Sequence, residues 1–163
     1  MKKEKFLTVY AVLDDATQEV LSALQKQILM EFPNGTQTMD IPFHISLGSF
    51  PVKDKNELIC RIANVLDKVS AFDITIDGMG HFNYTVVFAE PMINQDLIQL
   101  HELFVGNYAD GFDWHPHITL YCGEQEEGEY ILKNYTVPKI QAKIVGIQLG
   151  EFFPTNMIMK CKF

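Results

Sequence analysis

Two short segments hold the residues best suited to chemistry: His44-Ile45-Ser46-Leu47 and His117-Ile118-Thr119-Leu120, set 73 residues apart. Each places a hydroxyl two positions after an imidazole and an aliphatic residue between them. In an extended strand alternate side chains face opposite ways, so His44 and Ser46 project together while Phe43, Ile45 and Leu47 project to the other side. The same parity groups His117 with Thr119 and opposes them to Ile118 and Leu120. With an unperturbed pKa near 6.5, one imidazole can take a proton from water while the other gives one to a departing alkoxide. Two imidazoles facing one phosphate therefore suit phosphodiester hydrolysis. The hydroxyls of Ser46 and Thr119 can donate to non-bridging oxygens, where charge grows in the transition state. This scheme calls for no metal and no cofactor.

Composition narrows the substrate. At 163 residues, 47% hydrophobic, the chain suffices for one good core and is expected to form a single domain over 1–163. A formal charge of −8 argues against tracking a long phosphate backbone, because such binding draws on clustered Lys and Arg that release counterions. Arg61 is the sole arginine and lies in an apolar-periodic segment, so no bidentate clamp for phosphate is evident. Neutralisation would fall to a protonated His, hydroxyls and backbone amides. Cys60, Cys122 and Cys161 are odd in number and lack CxxC spacing, which suggests neither a disulfide framework nor a zinc knuckle. A reducing, cytoplasmic setting is expected. The basic start Met1 to Lys5 precedes a short apolar run that meets Asp14-Asp15, so it reads as a first strand rather than an export signal. No stretch approaches transmembrane length, and no membrane partner is expected.

The elements that must position the two motifs follow from periodicity. Phe6 to Leu13 reads as a strand, and Asp14 to Thr17 offers caps for a helix whose stripe is Val20, Leu21, Leu24 and Ile28, ended by Pro33-Asn34-Gly35. Pro42 to Phe50 is the first motif strand. A helix capped near Asp54 follows, with Leu58, Ile62, Val65 and Val69 on one face. Ala71 to Asp77 and Tyr84 to Ala89 read as strands joined by a loop, Gly78 to Asn83, long enough to carry function. A helix from Asn94 to Val105 leads past Gly111-Phe112-Asp113 to the second motif strand, Pro116 to Tyr121. Then come an acidic helix, Glu124 to Asn134, and a hairpin of Lys139 to Phe153 with Met157 to Phe163 about Pro154-Thr155-Asn156. The two motifs fall at corresponding places in halves of similar order, and two copies so far apart indicate a duplicated lobe rather than a solenoid. An α+β fold with pseudo-twofold symmetry is expected.

Secondary candidates surround the four motif residues. Tyr121 shares parity with His117 and Thr119 and is a candidate substrate contact. His115 could point into the mouth of the cleft, and Phe50 could supply a stacking wall. His44, His115 and His117 together could form an open zinc site, although zinc would leave the paired hydroxyls unexplained. His81 and Phe82 lie in the predicted loop, His101 at a helix boundary, and the run Glu124, Glu126, Glu127 and Glu129 suits a helix start. Cys122 faces away from His117 by parity, which disfavours a nucleophilic role.

The sequence resembles the two-histidine phosphoesterases, the group of 2′-5′ RNA ligases and cyclic phosphodiesterases. Their signature is a pair of His-x-(Thr or Ser)-hydrophobic motifs, the HxTx motif, matched here by Pro42-Phe43-His44-Ile45-Ser46-Leu47 and Pro116-His117-Ile118-Thr119-Leu120. The resemblance implies a bilobal fold with two antiparallel sheets lining a central groove and helices on the outside. It also implies hydrolysis of 2′,3′-cyclic phosphates, other cyclic nucleotide phosphates or 2′-5′ linkages, with reverse ligation of RNA ends in some members. His44 and His117 become the acid and base pair, Ser46 and Thr119 the phosphate contacts. Many relatives carry basic residues around the groove. With one arginine here, the expected partner is a small nucleotide-type or RNA-terminal phosphate ester. A module that holds such an end without turning it over is the alternative.

Overall fold

The computed structural model describes residues 3–37, 40–105 and 113–163, and all statements below concern those residues. Strand β1 (Phe6–Leu13) and helix α1 (Asp15–Glu31) are followed by β2 (His44–Pro51), α2 (Lys55–Leu66) and β3 (Phe72–Phe82). A matching series then runs β4 (Val86–Pro91), α3 (Gln95–Glu102), β5 (Ile118–Cys122), α4 (Gln125–Asn134) and β6 (Ile140–Phe152), with β7 (Asn156–Lys162) last. The fold is α+β, seven antiparallel strands with four α-helices. Each unit thus reads β-α-β-α-β, with a motif on its middle strand.

Pairing shows how the units combine. β1 pairs with β2, and β4 with β5, as expected within a unit. The third strands are exchanged. β3 of the first unit pairs with β4 of the second, while β6 of the second pairs with β1 of the first. This reciprocity is the pseudo-twofold relation in topological form. The two sheets anticipated from sequence are joined through β6: Ile140 to Ile144 pair with β3, and Ile144 to Phe152 pair with β1. The hydrogen-bonded path is β2-β1-β6-β3-β4-β5, with β7 on β6. The motif strands β2 and β5 are its two ends, and they return to within 8 Å of each other between Cα atoms.

Side-chain alternation fixes which face each strand presents. Leu7, Val9, Ala11 and Leu13 of β1 and Ile45 and Leu47 of β2 are buried in one core with Leu58, Ile62 and Val65 of α2. Burying an aliphatic side chain of this size contributes about 2 kcal/mol. A one-residue slip of β2 would expose Ile45 and Leu47 and drive His44 and Ser46 into the core, so hydrophobic burial sets the register of the motif. Core boundaries do not follow chain halves. Ile28 of α1 clusters with Val87, Tyr121 and Ile131, and Gln25 Nε2 donates to the Leu120 carbonyl at 2.8 Å, so the first helix braces the second motif strand.

Three local expectations change. Asp14 precedes α1, but its carboxylate accepts from Thr17 Oγ1 (2.6 Å) and the Lys143 N–H (2.9 Å) instead of capping the helix, tying the helix start to β6. The predicted loop Gly78 to Asn83 is mostly strand, because β3 continues to Phe82. The chain turns at Asn83 and Tyr84, with φ of 47° and 59°. Tight hairpins of opposite-handed turn need two successive positive φ values. Asn-Tyr supplies them here without the glycine that signals such a turn, and Tyr84 is held by stacking on His81 at 3.9 Å. Helix α3 stops at Glu102, short of the expected Val105; its start is capped, with Asn94 Oδ1 accepting from the Leu97 N–H at 2.9 Å. Gly111 and Phe112 lie outside the described residues.

Candidate active site

The same local device orients both motif histidines. His44 Nδ1 lies 2.8 Å from the Pro42 carbonyl and His117 Nδ1 lies 2.8 Å from the His115 carbonyl, each two residues back along an extended chain. A carbonyl oxygen can only accept, so Nδ1 carries the proton and Nε2 is left to work on a substrate. Burial lowers the pKa of both imidazoles, and the carbonyl bonds partly offset it. The two rings also sense each other: charge on His117 opposes charge on His44. A charge on His115 likewise opposes one on His117.

Their surroundings differ. The Tyr10 ring covers His44 at 4.4 Å between centroids. Tyr10 is itself fully buried, and burial pushes its phenol up to about 12. His117 instead meets aromatic edges from the β3-β4 hairpin, Phe82 at 4.9 Å and Phe88 at 5.3 Å. Ser46 stands directly across from Tyr10 in the β1-β2 ladder. Thr119 is partly exposed between the fully buried Ile118 and Leu120, which keeps it on the side of His117.

A cleft of about 730 Å³ is lined by two of the four motif residues, Ser46 and His117, together with Phe82, Asp113, Trp114 and His115; His44 and Thr119 are not in its lining. Its lining holds no Lys or Arg. Trp114 fastens the cleft to β2: its Nε1–H donates to the Ser46 carbonyl at 3.0 Å. The Trp114 ring stacks on His101 at 3.8 Å, and His101 Nδ1 donates to the next carbonyl, Leu47, at 2.8 Å. Both donors come from the second unit, so the first motif strand is held by residues that precede the second motif. No three His, Cys, Asp or Glu side chains among the described residues are grouped to hold a metal ion.

Of the secondary candidates, His115 does line the cleft. Tyr121 does not. A bulge shifts the β4-β5 ladder so that Thr119 opposes Phe88 and Tyr121 opposes Val87, which breaks the alternation assumed between them. Tyr121 is fully buried with Ile28 and Ile131, and its hydroxyl donates to Glu127, raising its pKa along with burial. Phe50 also belongs to the core, beneath Arg61, and forms no wall of the cleft. Cys122 is partly buried, and that burial raises its thiol pKa.

Sequence reasoning passed over Tyr10 and Trp114. Tyr10 follows Phe6 and Thr8 on the face of β1 opposite Leu7 and Val9. Trp114, the sole tryptophan, stands three residues before His117 among polar neighbours. Phe82 was placed in a loop; as the end of β3 it becomes a fixed wall.

A sequence model described as the 2′-5′ RNA ligase superfamily matches residues 39–151, a span that includes both motifs. No curated protein sequence matches the chain. Among solved structures, Escherichia coli LigT complexed with phosphate is similar at a TM-score of 0.68 and 18% identity, covering 99% of each chain. TT0787 of Thermus thermophilus gives 0.67 at 16% identity over 96% of this chain and 97% of that one. A protein described only as a phosphoesterase gives 0.67 at 17% identity over 98% of both. These likenesses show the fold, and the family match covers more than half of the chain together with its two histidine motifs: the chain belongs to the 2′-5′ RNA ligase superfamily, among the two-histidine phosphoesterases.

Proposed function

We propose that this protein is a phosphodiesterase that opens cyclic phosphate esters of the 2′,3′-cyclic nucleotide or RNA-end type, with His44 as base and His117 as acid. The observation that carries the reading is the repeated geometry: two imidazoles, each with Nδ1 fixed on the carbonyl two residues back, and a hydroxyl two residues on. Water attacks phosphorus and gives its proton to His44 Nε2. His117 Nε2–H delivers a proton to the departing ribose oxygen, the P–O bond to that oxygen breaks, and a phosphomonoester leaves. Ser46 and Thr119 donate to the non-bridging oxygens as charge accumulates there. The base role goes to His44 because it lies under Tyr10, where a neutral ring is favoured. His117 faces the cleft, where an anionic ester beside it offsets the burial that otherwise keeps it neutral.

The lack of Lys and Arg in the lining supports a small or terminal ester, and Phe82 with Trp114 provides flat apolar walls suited to a base. Relatives in the same fold support nucleotide-type ligands: LigT of Escherichia coli has been crystallised with 3′-AMP, NADP+ and ATP. Members of the family also join RNA ends in reverse, a second outcome of the same acid and base. None of the described helices is long and apolar enough to cross a membrane.

The test is product analysis with 2′,3′-cyclic AMP in the presence of a chelator, comparing wild type with His44→Ala and His117→Ala. Turnover to one phosphomonoester isomer, unaffected by chelator and lost in both variants, is expected. Binding of the cyclic nucleotide without product would identify a holding module instead, and undiminished turnover in His117→Ala would remove the mechanism.

A further inference from the structure

A second cleft lies on the same face as the motif residues of β2. Register places Ser46 opposite Tyr10, Tyr10 opposite Gln148, and Gln148 opposite Lys160. The neighbouring row runs from His44 through Val12 and Gly146 to Lys162. Directly paired residues share a face, so Lys160 and Lys162 lie on the side of the sheet that carries His44 and Ser46. There Val12, Gly146, Gln148, Lys160 and Lys162 line a cavity of about 470 Å³ whose near rim is Pro42, the residue that orients His44. Three strand spacings separate β2 from β7, about 14 Å.

Two features distinguish this cavity from the first. Lys160 and Lys162 are both exposed, and neither is in an ion pair among the described residues, where Lys5, Arg61 and Lys143 each have a carboxylate. Lys160 and Lys162 set two cations on one face of β7, whereas the cleft over the motifs has no Lys or Arg in its lining. Asp15 is the only carboxylate in the lining. Secondly, Gln148 Oε1 is buried and accepts no hydrogen bond. Gln148 itself lines the cavity, so a rotation of its side chain would offer this acceptor to a ligand hydroxyl or amine.

We propose that this cavity is a subsite for a further phosphate of the substrate, one or two nucleotide units from the ester that is cleaved. Lys160 and Lys162 neutralise that phosphate, and Gln148 Oε1 accepts from an adjacent sugar hydroxyl or base amine. The subsite makes a short phosphorylated strand end a better ligand than a lone cyclic mononucleotide. It also reconciles an acidic protein with such an end, since this cavity sets two lysines against a single carboxylate. The proposal rests on the catalytic reading of His44 and His117 only for where the strand terminates.

The experiment measures binding, so it does not depend on turnover. The probes are adenosine 3′-monophosphate and the same nucleotide extended at its 5′ side by one adenylate bearing a 5′-phosphate. Wild type is expected to bind the extended probe at least tenfold more tightly. Lys160→Gln/Lys162→Gln, both exposed on β7, should erase that gain and leave the mononucleotide unchanged. A matched control, Lys133→Gln/Lys139→Gln at exposed positions elsewhere, should keep it. The slope of log affinity against log salt should fall by about 1 in the β7 variant, as for loss of one or two phosphate contacts to a single strand. Equal binding of the two probes by wild type, or a gain that survives in the β7 variant, would overturn the subsite. If the gain behaves as expected while 2′,3′-cyclic AMP is never hydrolysed, the catalytic reading fails and the subsite stands.

Discussion

His44 and His117 share an orienting bond of the same length and differ in almost everything else around them. The bond of His44 is partly buried beneath the Tyr10 ring. That of His117 is exposed, and its ring rests against Phe82 and Phe88 at the cleft. The two motifs hold the same place in their units, and Tyr10 opposite Ser46 corresponds to Phe88 opposite Thr119; the neighbours differ because one is a tyrosine and the other a phenylalanine, and because strand exchange brings Phe82 of β3 to His117 alone. A base and an acid need this kind of inequality, because two identical imidazoles have no reason to divide one proton in a fixed sense.

The largest effect expected is loss of turnover by about 10²–10⁴-fold in His44→Ala and in His117→Ala, the usual share of a general acid or base. A substrate whose leaving group needs no proton breaks the tie between them. With a nitrophenyl phosphodiester, His117→Ala should recover most of its rate and His44→Ala should not, because water still requires a base. Recovery in His44→Ala instead would reverse the assignment. Equal failure of both variants would remove the division of roles.

The hydroxyl pair sharpens the comparison at the next level. Replacing Ser46 or Thr119 by Ala should lower kcat by about 10²-fold, toward the lower end of what one donor to a developing oxyanion contributes. KM should change little, since these donors strengthen only as charge grows. Thr119→Ser, which keeps the donor, should retain most of the rate. A fall in Thr119→Ser as large as in Thr119→Ala would place the residue's effect in packing rather than in donation.

Much of this arrangement was readable from residues alone. His44, Ser46, His117 and Thr119 could be placed on common faces because alternation in a strand is local, and the aliphatic residues between them fix the register. Tyr121 went astray because a bulge between Thr119 and Tyr121 is set by pairing with β4, a long-range fact with no mark in the sequence. The tight turn of the β3-β4 hairpin at Asn83-Tyr84 was hidden for a related reason: its positive φ values sit on residues held by the His81 stack rather than on glycine. Tyr10 and Trp114 escaped notice because their relevance comes from partners 34 residues ahead and 68 residues back along the chain. Strand exchange between the units was likewise invisible, since a repeat in sequence does not say which copy completes which sheet.

The smallest effect concerns stability and proton uptake. Burial holds both imidazoles below their ordinary pKa in the folded protein. In the unfolded chain they titrate near 6.5. As pH falls through that value the unfolded state takes up protons that the folded state refuses, so stability present above about 6.5 is lost on acidification, until the folded values are passed and the loss levels off. Denaturant unfolding at pH of about 7.5 and about 5.5 should therefore show a weaker fold at the lower value. His44→Gln and His117→Gln should each reduce the difference, and the double variant should reduce it most. Phosphate should act in the opposite direction, because an anion between the rings favours their charged forms. Its binding near neutral pH should draw protons from buffer, measurable as a dependence of binding heat on buffer ionisation enthalpy. Proton uptake that persists in His117→Gln but disappears in His44→Gln would mean that the ring under Tyr10, not the one at the cleft, carries the proton to the leaving group.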